Sequence, residues 1–583
     1  MAAEVPCPRA QRGVRRDDAP SPSLLCGRGR PQRFAARAVP RQGREAASAP
    51  PDQDAVTSCS FGGVDLPGAG GGRKGLYAAG AVLGTLIALV GAQLYRIDHI
   101  RCSNWPPLGI GLSYAPAYVL ALALLTSGWL GLASLCGETP LWGAATPRLL
   151  PHGQRPTLLF VLLVGGACNL LATFIPPFLA DDGLAYAAIG RAMQVYHKDM
   201  FMPLGQSLPV DDPFRAAISM NYGWLEVGSA YAPGFNWLAC LISRLAGDDL
   251  ALNLRLFQLS SMVAALLAAV IAGRAAFFYA LQQSAATGTP ASEARQRAAR
   301  ETGNRATALV LLCPLTIIEA SSSAHNDSFL MLSVALFALC VVKGRRLLAL
   351  LALGGALLVK ASGLLLVGLY GVHLLAASLQ FRLPALRRRH LVGALAVAIP
   401  CTLLLVWELF PFLLRYSSTT ARLLGSPNDE YPYCTRSIEC LPRGFLHMVL
   451  GMRTASWLVG LAFRALAGAF LLYMALRSER GVRHLRWAAS FIFFYYLFLH
   501  GYSHPWYVLS LLPLLPYAER RFVPAMLALP ISNLLHYTLD FPYNCDHTPL
   551  MVGLTETIQG LIVLVPSTVL VLRSRRAAAT AAG

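Results

Sequence analysis

"FIPPFLADDGLAYAAIGRAMQVY", residues 174–196, decides how this chain is read. An apolar run stops at Pro176 and Pro177, and two adjacent acids, Asp181 and Asp182, follow within a few residues. Proline has no backbone N–H and breaks a helix interior, so the run ends there. Beyond the acids, Ala185, Ile189 and Met193 recur at helical spacing, which predicts an amphipathic helix lying along an interface. Asp181 or Asp182 suits the start of that helix, because a carboxylate accepts from the free N–H groups of a first turn. A carboxylate just outside an apolar segment is also a general base for an acceptor hydroxyl. Spacing alone leaves both readings open, and they are compatible.

The rest of the chain explains the apolar run. Of its 583 residues, 55% are hydrophobic and 14% charged, against about 25% charged in a soluble domain. Apolar runs recur between residues 75 and 572. They predict an all-α polytopic membrane protein with about 12–14 transmembrane helices, several of them short enough to be tilted or broken. The net charge of +19 does not indicate nucleic acid, because the positive residues cluster in short loops between apolar runs, as orientation signals do. Cys168, Cys240 and Cys313 lie in apolar runs and read as packing residues, and no CxxC pair marks a zinc site. Residues 1–74 are rich in Arg, Pro, Gly and Ala without apolar periodicity and are expected to form a disordered tail. Residues 75–573 would be the membrane domain and 574–583 a short tail.

With Arg73-Lys74 taken as cytoplasmic, alternating spans place the basic loops on one side. These are Arg148/Arg155, Arg295 to Arg305, Lys343-Arg345-Arg346, Arg387 to Arg389, Arg477 to Arg486, Arg520-Arg521 and Arg573 to Arg576. Two features resist: Arg96 and Arg101 fall in an outer loop, and the short apolar stretch 233–247 must be re-entrant or interfacial. The outer face then collects acids, histidines and aromatics. It holds the 177–232 loop with Asp211, Asp212 and Glu226, "IEASSSAHNDSF" (318–329), and a loop near 411–452 with Asp429, Glu430, Cys434 and Cys440. It also holds "HGYSHPWY" (500–507) and "DFPYNCDH" (540–547). Solvated loops need polar residues but not this sorting, so the outer face is where chemistry is expected.

In "SSSAHND", His325, Asn326 and Asp327 open an apolar helix, with Glu319 ending the helix before it. Ionisable residues at the mouth of a membrane helix mark sites more often than not. A metal site from Glu319, His325 and Asp327 is conceivable, but their spacing matches no standard motif. Lys360 lies between two short apolar runs, where it either snorkels to the interface or binds a phosphate. His500 and His504 flank a turn and donate to a phosphate when protonated. Trp506 and Tyr507 read as an interfacial belt or as a stacking surface for a sugar or prenyl chain. Cys434 and Cys440, with Cys545, are candidates for an outer disulfide.

Taken in order, the acidic loop, "YAPGFNWLA" (231–239), "IIEASSSAHNDSFLM", "LLVKASGLLL" and "HPWYVLSLLPLLP" resemble the GT-C membrane glycosyltransferases. The likeness is strongest to bacterial polyprenyl-phosphate-mannose-dependent alpha-mannosyltransferases and covers roughly residues 157–540. It implies an inverting transfer of a hexose, mannose in that family, from a polyprenyl-phosphate donor to a glycan or glycolipid acceptor. It implies Asp181 or Asp182 as base, and Lys360 and His504 near the donor phosphate. Tyr186, Tyr231, Glu319, His325, Asn326, Asp327, Trp506 and Tyr507 would line the substrate site. The chain departs from the family in pairing its acids and in adding Asp211-Asp212, which leaves the identity of the base open. With a phosphomonoester leaving group no cofactor is required and a divalent ion is not obligatory. The rival class is a multi-pass transporter, which would predict internal repeats and mid-span ionisable residues. No convincing repeat is seen here, and the ionisable residues sit mostly at span ends.

Overall fold

The computed structural model describes residues 69–102, 115–137, 155–175, 182–218, 225–226, 228–286, 293–379, 441–442, 445–446, 453–477, 482–499, 504–535, 537 and 549–580. The described helices all lie within the unit Asp65–Gly583. The expected tail, Asp181, the loop near 411–452, His500 and the 540–547 segment with Cys545 therefore fall wholly or mostly outside the described residues.

Every regular element described is a helix. Leaving aside four short ones of three to six residues, they are in chain order α1 (Ala69–Cys102), α2 (Ala115–Leu135), α3 (Leu158–Ala172), α4 (Asp182–Gln194), α5 (Pro233–Ala246), α6 (Leu250–Ala286) and α7 (Glu293–Leu311). A π-helix (Thr316–Ser322) leads into α8 (Asp327–Val342), α9 (Arg346–Val359) and α10 (Leu364–Leu379). After α11 (Arg453–Arg477) and α12 (Arg483–Phe494) comes a 3-10 helix (Pro505–Tyr517), then α13 (Val523–Leu535) and α14 (Pro549–Thr580). Among the described residues, three helices are long and apolar enough to cross a membrane, within Gly72–Gly91, Pro116–Leu135 and Leu250–Ser284. A fourth joins them if α7 and the π-helix, bent by 59°, are one span. Shorter apolar helices of 10–17 residues, α8, α9 and α13 among them, fill out the bundle. Leu76, Leu159, Leu163 and Leu466 stay exposed on its flanks, as lipid-facing residues do.

Local chemistry sets the boundaries. Thr157 caps α3 by accepting from the Phe160 N–H at 3.2 Å. α8 closes in a Schellman motif: Gly344 takes φ +68°, Arg345 N–H donates to Cys340 O at 2.8 Å, and Gly344 N–H to Val341 O at 3.0 Å. Arg96 and Arg101, expected in a loop, lie on α1, because that helix continues to Cys102.

The 233–247 stretch is α5, with Pro233 in its first turn and Gly247 (φ +61°) ending it. Its Trp237, Leu241 and Leu245 form an exposed stripe, the pattern of an interfacial helix. The stripe of α4 behaves otherwise. Ala185 is buried, and Ile189 lies in a small core with Tyr231, Phe235 and Phe257, with Met193 packed against it, so the stripe faces protein and not the bilayer. α5 and the loop between cover the face that the sequence assigned to lipid.

Candidate functional site

α4 starts at Asp182, which puts Asp182, Tyr186 and Gly190 on one face at i, i+4 and i+8. At Gly190 a Cβ would run into the Ala239 carbonyl, so α4 and α5 touch backbone to backbone there.

Opposite this face, α7 breaks at Pro314, which cannot continue the helical ladder. The chain resumes as a π-helix, a form frequent at functional sites. Polar residues from the apolar helices hold it. Asn169 donates to Gly165 O and Leu311 O at 2.7 and 2.9 Å and accepts from Ser321 Oγ at 2.7 Å. Gln258 Nε2 donates to Ile175 O and Ser322 O at 2.8 and 2.6 Å. Ser261 Oγ donates to Ala324 O at 3.1 Å. Ala324 sits at φ +61°, a left-handed conformation that an L residue keeps only when its surroundings hold it. That turn delivers His325, whose own N–H closes on Glu319 O at 3.0 Å.

His325 is fully buried between two carboxyl groups. Its Nδ1 lies 3.1 Å from Asp182 Oδ2 and its Nε2 3.2 Å from Glu319 Oε2. Both are ion-pair contacts that fall short of aligned hydrogen bonds. Burial favours the neutral imidazole, but Asp182 and Glu319 outweigh it and raise the pKa to about 9. The imidazole stacks on the Trp506 indole at 3.8 Å, and Trp506 stacks on His504 at 4.2 Å. Asn326 N–H reaches the Tyr186 hydroxyl at 3.4 Å, and Tyr186 packs edge-on to Tyr231 at 4.8 Å.

Two residues on, buried Asp327 accepts from Lys360 Nζ at 2.6 Å, and that ammonium lies 4.0 Å over the Tyr507 ring. Lys360 gets there because it is the extended break, φ −158°, between α9 and α10. Ala232 N–H donates to Val359 O at 3.3 Å and ties the outer loop to the same break. Glu319 Oε1, Asp327 Oδ1, Asn326 Nδ2 and the Ser322, Ser323 and Ser362 hydroxyls are buried without hydrogen-bond partners. These are groups that a bound polar molecule would satisfy.

Residues 294–376 match the family described as alpha-(1->6)-mannopyranosyltransferase, N-terminal domain. A mannosyltransferase-type family domain therefore covers part of the chain, in keeping with a GT-C-like membrane enzyme. No curated protein and no solved structure matches the chain. The matched segment runs from α7 into α10 and contains Glu319, His325, Asn326, Asp327 and Lys360; Asp182, His504 and Trp506 come to the same place from outside it.

The structure thus gathers the sequence candidates, with Asp181 outside the described residues. It separates the set considered for a metal: Glu319 faces His325 while Asp327 turns to Lys360. Among the described residues no group of three His, Cys, Asp or Glu is placed to hold an ion. Asp212 is spent elsewhere. It accepts from Arg191 Nε at 2.6 Å, Tyr196 OH at 2.7 Å and Phe214 N–H at 2.8 Å, and Arg191 also holds Asp248 at 2.5 Å. Burial pushes the Asp212 carboxyl up, but these donors prevail and hold it below the usual range. Sequence reasoning passed over Asn169, Gln258 and Ser261, which brace the turn; polar side chains inside apolar helices were the available signal.

Proposed function

We propose that the chain is a polytopic membrane hexosyltransferase of the GT-C type, with its reaction centre on the extracytoplasmic face. It moves a hexose, mannose by the family likeness, from a polyprenyl-phosphate donor to a lipid-linked or cell-envelope glycan. The observation that carries this reading is the convergence of Asp182, His325, Glu319 and Trp506 from distant segments onto one buried turn inside the matched domain.

The chemistry follows from that arrangement. Asp182 gives one oxygen to His325, and the other makes no hydrogen bond or ion pair among the described residues. The free oxygen takes the acceptor hydroxyl proton as the new bond to the anomeric carbon forms and the bond to the phosphate oxygen breaks, inverting the centre. His325, held from behind by Glu319, fixes the position of Asp182, as the third member orients the pair in other catalytic triads. His504 and Lys360 face the departing polyprenyl phosphate and stabilise its charge. Trp506, sandwiched between His325 and His504, holds both imidazoles in place, Tyr507 lies under the Lys360 ammonium, and Tyr186, packed on Tyr231, holds Asn326 from behind. Asp181 is the other candidate base.

The test is sugar transfer from polyprenyl-phosphate mannose in membranes holding the wild-type chain, Asp182→Asn or Asp181→Asn at equal expression. Asp182→Asn is expected to lose at least ~100-fold of the rate, with Asp181→Asn close to wild type. The reverse order moves the base to Asp181. Equal transfer by all three removes the carboxylates from the chemistry.

A further inference from the structure

A second polar site lies far from His325. A cavity of about 790 Å³ opens between the end of α6, the start of α12 and the end of the 3-10 helix, lined by Tyr279, Arg486, Tyr517, Glu519, Arg520 and Arg521. Its volume is that of a small-molecule site. Gln258 of α6 bonds the π-helix at the candidate centre, and Tyr279 lies 21 residues further along that helix, so the two sites stand roughly 30 Å apart at 1.5 Å per residue.

Three arginines face one acid here, and the acid is taken: Arg521 Nε lies 2.7 Å from Glu519. Arg486 and Arg520 are exposed at the rim and make no ion pair among the described residues. Tyr517 is 2% exposed, packs edge-on to Tyr279 at 5.1 Å, and buries a hydroxyl that has no hydrogen-bond partner. A buried phenol donor is costly when unmet. Two unpaired guanidinium groups beside it select an acceptor with several charged oxygens, and a phosphate presents such oxygens to the arginine fork better than a single carboxylate does.

We propose that this cavity binds the phosphate group of an anionic ligand, with Arg486 and Arg520 as charge partners and the Tyr517 hydroxyl as the buried donor. The phosphate belongs to a phospholipid headgroup or to a soluble phosphate compound, and the site is independent of the transfer chemistry at His325.

The test uses the purified full chain in detergent, titrated with phosphatidylglycerol, phosphatidylcholine or inorganic phosphate and read by native mass spectrometry and thermal unfolding. Phosphatidylglycerol is expected to bind and stabilise where phosphatidylcholine does not. Arg486→Gln with Arg520→Gln should weaken binding about tenfold, and Tyr517→Phe roughly threefold. Arg300→Gln removes exposed charge outside the cavity and should change nothing. Stabilisation by inorganic phosphate with phosphatidylglycerol inert, lost in the same variants, supports the phosphate site and assigns it to a soluble ligand. Equal binding of both lipids, or a loss in Arg300→Gln as large as in the cavity variants, overturns the proposal. Unfolding midpoints without ligand identify any variant that merely misfolds.

Discussion

At the scale of single residues, His325 is the most constrained group described. Its pKa of about 9 stands above the ordinary 6.5, so its contribution is complete below pH 6.5 and is lost as pH rises through 9. The loss amounts to on the order of 3 kcal/mol. Unfolding measured between pH 6 and pH 10 should show this decline in the wild type and a flatter profile in His325→Gln; identical profiles would remove the imidazolium from the ion-pair chain. Lys360 makes a separate prediction. Removing it strands the buried Asp327 carboxyl, so Lys360→Met should cost about 3–5 kcal/mol. Lys360→Met combined with Asp327→Asn should cost less than the two changes added, because the second removes the charge that the first leaves unpaired. A double-mutant cycle on unfolding midpoints decides it, and strict additivity would mean that the 2.6 Å contact contributes nothing.

At the scale of elements, the site depends on how closely α4 and α5 approach. Gly190 is where they meet, and any Cβ there collides with the Ala239 carbonyl. Gly190→Val should cost about 1–3 kcal/mol and reduce transfer, because Asp182 is carried on the same helix face two turns away. Gly166 on α3 has nothing within 4 Å of such a Cβ, so Gly166→Ala should be tolerated with transfer unchanged. Comparable losses in both would make helix propensity, not the α4–α5 contact, the controlling factor. The two helices also show what the sequence could reveal. Pro176, Pro177 and Asp182 announced the start of α4, Pro233 and Gly247 bounded α5, and Lys360 marked the break before α10; each is a local signal with a local cause. The π-helix at Glu319, the left-handed Ala324 and the Trp506 stack on His325 were not legible. They arise from contacts between segments more than a hundred residues apart, such as Asn169 with Ser321 and Asp182 with His325, and no window of sequence holds both partners.

At the scale of the whole molecule, polar residues gather at two ends. Asp182, His325, Lys360 and His504 sit where α4, α8 and the 3-10 helix begin and α9 ends. Lys343, over Phe278 at 4.6 Å, and the arginines of the cavity sit where α6, α8 and the 3-10 helix end. Their separation along α6, roughly 30 Å, equals the hydrocarbon thickness of a bilayer. Lys343, Arg486 and Arg520, from three of the basic loops that the sequence assigned to one side, lie at the same end of these helices, although only three or four described helices are long enough to span by themselves. If the acidic end faces outward, Asp211, exposed in the segment that links α4 to α5, and Arg520 lie across the membrane from each other. Asp211→Cys should then react with an impermeant maleimide on sealed cells, while Arg520→Cys should react only after permeabilisation. Cys136, Cys168 and Cys313 are buried and add little background, and the unsubstituted chain corrects for the other cysteines. Labelling of both positions from the same side would put the two ends in one compartment, and a reaction centre fed by a bilayer-anchored donor on the outer face would no longer fit this fold.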